Sequence, residues 1–146
     1  MKAVLQRVKK ASVSVEGKTR GTIDRGLVIF LCVERGDESE TAVYFAGKAA
    51  RMRVFSDDDG KFNLSLLDMG GEALVISQFT LAGNWRKGNR PSFSSAARPE
   101  IADPLYTEYC EALKSLGVPV ETGVFAAHMD VGLVNDGPVT IWMDSA

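Results

Sequence analysis

The sequence predicts an α+β fold with a mostly antiparallel sheet or barrel rather than a doubly wound one. Three observations point there. Strand-like segments follow one another near the start and return near the end. Only two segments carry helical periodicity, so helices and strands do not alternate one by one. The 146 residues, 45% hydrophobic and 25% charged, suit a single globular domain over 1–146 with one core.

Each element has its own reason. Ser12-Val13-Ser14-Val15-Glu16 alternates polar and apolar side chains, the pattern of a half-buried strand. Gly17 turns the chain, and residues 19–24 lead to Gly26. Residues 27–33 are apolar on both faces, as a central strand is. A helix follows, capped by Asp37 or Ser39. Its stripe is Ala42, Ala46, Ala49 and Arg53, with Val43 and Ala50 beside it. Val54-Phe55 and Asn63-Leu64-Ser65 flank a polar turn, Ser56-Asp57-Asp58-Asp59-Gly60. Its successive aspartates lack the alternating ligands and distal Glu of a calcium loop, so a solvated hairpin turn is expected.

Residues 74–81 read as a strand bounded by Gly70-Gly71 and Gly83. The second helix takes Asp103 as N-cap and Pro104 in its first position, and it leaves at Gly117. Its expected buried stripe is Ile101, Leu105, Tyr109, Ala112 and Leu116. Two closing strands are expected over 127–134 and 139–143.

Composition excludes several classes. The longest apolar run has seven residues, against about 20 for a membrane span. Met1-Lys2-Ala3-Val4-Leu5-Gln6-Arg7 lacks the apolar core of a signal peptide. Cys32 and Cys110 make no disulfide framework, and a cytoplasmic location follows as the expectation. One His and two distant Cys give no zinc-type cluster, so no metal is expected. A net charge of −2 argues against broad gripping of nucleic-acid phosphates. Neither a P-loop nor a G-x-G-x-x-G fingerprint is present. A Ser-His-Asp hydrolase would have to use the lone His128, but no G-x-S-x-G elbow presents a serine.

Three segments could carry chemistry. In Ser77-Gln78-Phe79-Thr80, period 2 puts Gln78 and Thr80 on one face with Leu74 and Ile76. That face is either the lip of a pocket or a strand surfacing into a loop. Asn135-Asp136-Gly137-Pro138 resembles a tight hairpin turn, yet Pro138 has no N–H to close it. A cis Gly137–Pro138 bond or a wider irregular loop would each resolve this. Asn84-Trp85-Arg86-Lys87-Gly88-Asn89-Arg90-Pro91-Ser92-Phe93 holds cations and aromatics together. Such a loop suits a phosphate backbone and stacked bases, or else a solvated loop with two rings anchored in the core.

Ser77-Gln78-Phe79-Thr80-Leu81 and Asn135-Asp136-Gly137-Pro138-Val139-Thr140 resemble the two signature motifs of the D-aminoacyl-tRNA deacylase family. The resemblance extends to Gln6-Arg7-Val8, Ala11-Ser12-Val13, Phe55-Ser56-Asp57, Arg90-Pro91-Ser92-Phe93 and Phe125-Ala126-Ala127-His128-Met129. It covers the chain nearly end to end. Val124 departs from it, lying where family members often carry a basic residue.

The resemblance implies a β-barrel-like sheet with two flanking helices, assembled as a homodimer. It implies hydrolysis of the ester joining a D-amino acid to the 3′ end of tRNA, and of glycine mischarged on alanine tRNA, in translation quality control. No metal or organic cofactor is implied. Gly137 and Pro138, joined by a cis bond, would enter the partner's pocket and reject L-amino acids by clash. Met129 and Phe125 would line that pocket. Phe79 would offer a backbone N–H to the scissile carbonyl, with Ser77 and Gln78 bracing the site. Thr80 is either a nucleophile or an orienting hydroxyl. A threonine nucleophile needs a base, and no His, Lys or Asp is adjacent in sequence. Assistance from the substrate's own ribose 2′-OH, with Thr80 orienting, is the preferred reading. Arg86, Lys87 and Arg90 would form a local basic rim for the tRNA. The alternative is a non-catalytic RNA-binding or interaction module.

Overall fold

The computed structural model describes residues 1–145. In chain order it contains β1 (Lys2–Val15), β2 (Lys18–Ile23), β3 (Gly26–Cys32), α1 (Ser39–Arg51), β4 (Phe55–Ser56) and β5 (Phe62–Leu64). Then come β6 (Glu72–Ser77), a 3-10 helix (Phe79–Ala82), α2 (Pro99–Ser115), β7 (Val120–Thr122) and β8 (Asp130–Asp144).

The long strand β1 organises the sheet. Its first half pairs with β3, from Lys2 opposite Cys32 to Val8 opposite Gly26. Its second half pairs with β2, from Ala11 opposite Ile23 to Val15 opposite Lys18. β8 runs antiparallel along the other edge of β1. The sheet continues from β3 to β6 to β7, and both of these pairings are parallel. The sheet is therefore mixed, which corrects the mostly antiparallel expectation. The cause is the crossover: α1 lies between β3 and β6, and α2 between β6 and β7. A helix-length connection returns the chain to the same end, as parallel pairing requires.

Both faces of the central strands are covered. Leu5, Leu27, Ile29, Leu31, Ala73 and Val75 face the side where Phe45, Ala46, Tyr109 and Leu113 of the helices pack. Val28, Leu74 and Ile76 point the other way, into a second cluster with Val8, Ala11, Val13 and Ile23. This two-sided burial is why residues 27–33 read as one apolar run.

Four further expectations need correction. β6 stops at Ser77, and the chain turns into the 3-10 helix instead of extending to Leu81. The last ladder bond is donated by the Gln78 N–H to the Leu31 carbonyl at 2.8 Å, after which β3 offers no partner. α1 ends at Arg51, so Arg53 lies beyond it; the buried stripe includes Phe45, and Val43 is exposed. α2 begins with Pro99 in its first turn, so Asp103 is not its cap and Pro104 lies inside the helix. Its buried residues are Leu105, Tyr106, Tyr109, Cys110 and Leu113, while Ile101 is exposed. Finally, the two closing strands are one continuous β8, because β1 is long enough to pair with it on both sides of the Asn135–Thr140 motif. The turn at Asp57 is a solvated hairpin: its carboxylate accepts the N–H groups of Asp59 and Lys61.

Candidate active site

β3 and β6 run in parallel, so their C-terminal ends lie side by side, with Leu31 opposite Ser77. A cavity of about 500 Å³ opens there. Crevices at the carboxyl ends of parallel strands are the usual ligand sites of such sheets. Leu31 and Ile76 line it from the strands, Val33 from just after β3, Ala97 from just before α2, Pro99 and Ala102 from the start of α2, and residues 125–129 from the segment before β8. The walls are apolar. The polar groups come from Ser77 and Gln78, with His128 at the edge. The His128 side chain is 96% exposed and stands 4.0 Å from Asp130.

The mouth of the cavity is built by the 3-10 helix. Its first two N–H groups, of Phe79 and Thr80, have no acceptor among the described residues. Such orphan donors are what a helical start leaves over. The Gln78 side-chain amide donates to Thr80 Oγ1 at 2.6 Å. Thr80 itself does not line the cavity, and it is exposed. Among the described residues, no basic side chain lies within hydrogen-bond reach of its hydroxyl. The Phe79 ring is exposed and packs edge-on against Phe93, with centroids 5.2 Å apart. That contact ties the 84–93 loop to the mouth.

Sequence reasoning missed two supports. Cys32 donates its S–H to the Phe79 carbonyl at 3.6 Å, bracing the 3-10 helix from beneath. Burial pushes this thiol up to about 11, and the Glu34 carboxylate adds to the effect, so it stays protonated at neutral pH. Tyr106 donates to the Val75 carbonyl at 2.7 Å and packs its ring against Phe125, with centroids 6.0 Å apart. The one sequence signal for these was their apolar setting. Gly123 is a third case. A Cβ there would lie 2.4 Å from Met129 Sδ, so a side chain at this position would push the end of Met129 aside.

The second motif is elsewhere. Two steps along β1, Gln6 to Val8, match five along β8, Thr140 to Asn135. The surplus residues are looped out as a bulge with Gly137 and Pro138, both exposed, at its tip. The Gly137–Pro138 peptide is cis. The base is held from both sides. Asn135 donates its amide to the Arg7 and Val139 carbonyls, each at 3.0 Å. Arg7, 7% exposed, donates Nε to the Asp136 carbonyl at 3.1 Å and Nη1 to the Val54 carbonyl at 2.7 Å. The Asp136 carboxylate lies 3.3 Å from the same guanidinium. Gly137 has φ +130, and a Cβ there would meet Val139 Cγ2 at 2.8 Å.

The structure thus brings Ser77, Gln78, Phe79, Phe125 and Met129 together around one cavity. Gly137 and Pro138 do not line the cavity of their own chain. Arg86, Lys87 and Arg90 are exposed in the 84–93 loop.

A family model for D-Tyr-tRNA(Tyr) deacylases matches residues 4–144. The chain belongs to this family. The D-aminoacyl-tRNA deacylase of Thermomicrobium roseum is 57% identical over 146 residues, covering 100% of this chain and 95% of that protein. The protein of the same name from Paracoccus denitrificans is 54% identical, covering 100% and 98%. The solved structure of the c-Myc DNA Unwinding Element Binding Protein superposes with a TM-score of 0.93 at 38% identity, covering 100% of this chain and 99% of that one. A probable eukaryotic D-amino acid tRNA deacylase shares the fold, with a TM-score of 0.82 at 17% identity over 97% of each chain. No helix among the described residues is long and apolar enough to cross a membrane.

Proposed function

We propose that the chain hydrolyses the ester between a D-amino acid and the 3′ end of tRNA, and clears glycine mischarged on alanine tRNA. The observation that carries this reading is the Phe79 N–H, unpartnered among the described residues, at the mouth of an apolar cavity in a chain of the deacylase family. A tetrahedral oxyanion formed at the ester carbonyl is the species such donors stabilise.

Water attacks the ester carbonyl while the terminal ribose 2′-OH, held beside it, relays the proton. The oxyanion forms against the Phe79 N–H. The C–O bond to the ribose then breaks, its oxygen takes the relayed proton, and the amino acid leaves as a carboxylic acid that gives its remaining proton to solvent. Thr80 orients the substrate. Its hydroxyl already accepts a hydrogen bond from Gln78 and, among the described residues, has no base to activate it as a nucleophile. The protein's contribution is positioning and fixed dipoles.

Handedness is read at the Cα of the amino acid. The tip at Gly137 and Pro138 is exposed and lies outside its own chain's cavity. In a two-fold homodimer it enters the cavity of the partner, an isologous exchange that repeats in both directions. Its carbonyls meet the substrate's amino group, and an L side chain strikes the backbone. Glycine, having no side chain, passes. The substrate locates the enzyme in the cytoplasm.

The experiment is deacylation of D-tyrosyl-tRNA and L-tyrosyl-tRNA by the purified chain. Fast release from the D-ester only is expected; equal rates on both would end the stereochemical argument. A second reading is a non-catalytic nucleic-acid-binding module. It is favoured by the likeness to the c-Myc DNA Unwinding Element Binding Protein at 38% identity. It requires that both esters survive intact.

A further inference from the structure

We propose a second subsite, next to the catalytic cavity, that stacks the unpaired nucleotides preceding the terminal adenosine of the tRNA. The inference rests on the deacylase reading and extends it from the ester to the strand that bears it.

The 3-10 helix has two sides. Its first residue, Phe79, lines the catalytic cavity; Leu81 and Ala82 line a separate cavity of about 430 Å³. Four residues of 3-10 helix span about 8 Å, so the two cavities are close neighbours. The second cavity is walled by Trp85 from the loop and Trp142 from β8, with Arg86 and Lys2 at its edge.

Both indoles are unusually open. Trp85 is 73% exposed and Trp142 is 52% exposed. Among the described residues, neither has an aromatic partner. The chain's two tryptophans thus stand at one cavity instead of in the core. Lys2 is spent on Glu34, with Nζ 2.5 Å from the carboxylate. Arg86 is different. Its guanidinium lies 5.5 Å from the Trp85 ring, and no carboxylate pairs with it among the described residues. Lys87 and Arg90 extend the same exposed loop.

Exposed rings with a free cation beside them recognise one chemistry: a base face followed by a phosphate. Only unpaired bases offer that face, so the occupant is single-stranded RNA, not a duplex. A strand whose terminal ribose sits at Phe79 has these cavities in succession.

The test compares D-tyrosyl-tRNA with D-tyrosyl-adenosine, the same ester without preceding nucleotides. Trp85→Ala is expected to raise KM on the tRNA about tenfold, the loss of one stacked base, with kcat unchanged. Kinetics on D-tyrosyl-adenosine should not move. Unchanged KM on the tRNA would overturn the proposal, as would an equal loss on both substrates. Cleavage of neither substrate by the wild type would end the deacylase reading instead. The subsite is then read by quenching of tryptophan fluorescence with a C-C-A trinucleotide. Quenching that weakens in Trp85→Ala supports the subsite; absence of quenching overturns it.

Discussion

The two motifs differ in how they are held. Ser77–Ala82 continues a strand whose partner has ended, so its main chain is left open. Among the described residues Phe79 and Thr80 keep unpartnered N–H groups, and only two side-chain bonds, Gln78 to Thr80 and Cys32 to the Phe79 carbonyl, brace the turn. The 135–139 bulge is anchored from several directions. A buried guanidinium, a carboxylate and an amide fix its base, while Gly137 and Pro138 stand clear. An open main chain suits charge that develops during a reaction. A rigid backbone tip suits exclusion. The division of labour proposed here follows from that contrast.

The contrast breaks most sharply at Gly137. Gly137→Val adds side-chain atoms where a Cβ already meets Val139 Cγ2 at 2.8 Å, at a φ of +130. The tip must shift, and a displacement of about 1 Å in a positioned site costs roughly 100-fold. Turnover of D-tyrosyl-tRNA, measured by release of the amino acid, should fall by that order. Arg7→Ala attacks the anchor instead. It leaves the Asp136 and Val54 carbonyls and the Asp136 carboxylate without their cation. Asp136 is partly exposed, so the main loss is the buried Val54 carbonyl left without its donor, about 1–3 kcal/mol, which denaturant unfolding will register as a lower midpoint.

Smaller effects are expected on the open side. Thr80→Ala removes an orienting hydroxyl worth about 1 kcal/mol, so turnover should fall about tenfold or less. Loss of all activity with intact binding would revive the nucleophile. His128→Ala, at a side chain 96% exposed, should stay within about twofold of wild type in the same assay. Abolished hydrolysis would instead favour an esterase built on His128. Burial raises the Cys32 and Cys110 thiols to about 11 each, above their ordinary 9.0. The reactive thiolate is therefore scarce at neutral pH. Alkylation of the folded protein should be slow and should accelerate on unfolding.

Much of this was legible in the sequence, and the misses share a cause. Residues 27–33 announced a strand buried on both faces, but not that its neighbour would run parallel. That follows from crossover helices, which pairing patterns along one strand do not reveal. Residues 74–81 read as one strand, yet β6 ends where the next carbonyl past β3, that of Val33, accepts the Ala97 N–H instead, a tertiary fact. Pro99 and Pro104 both fit a helix start; Asp103 favoured the later one locally, and packing of α2 chose the earlier. Asn135-Asp136-Gly137 carries a turn signal, and the partner β1 overrode it by pairing on both sides. At the site, Ser77, Gln78, Phe79, Phe125 and Met129 were readable because they fall in motifs. Cys32, Tyr106 and Gly123 were not, since their roles arise from contacts across long stretches of chain.

The central claim is that one chain's bulge completes the other chain's cavity. Subunit mixing tests it most directly. Gly137→Val disables the tip, and Ser77→Trp fills the mouth of the cavity. Each variant alone should be nearly inactive on D-tyrosyl-tRNA. Mixed in equal amounts after unfolding and refolding, they should regain about a quarter of wild-type activity, because random two-fold pairing leaves one intact site in half of the dimers. A mixture no more active than its parts would contradict the account.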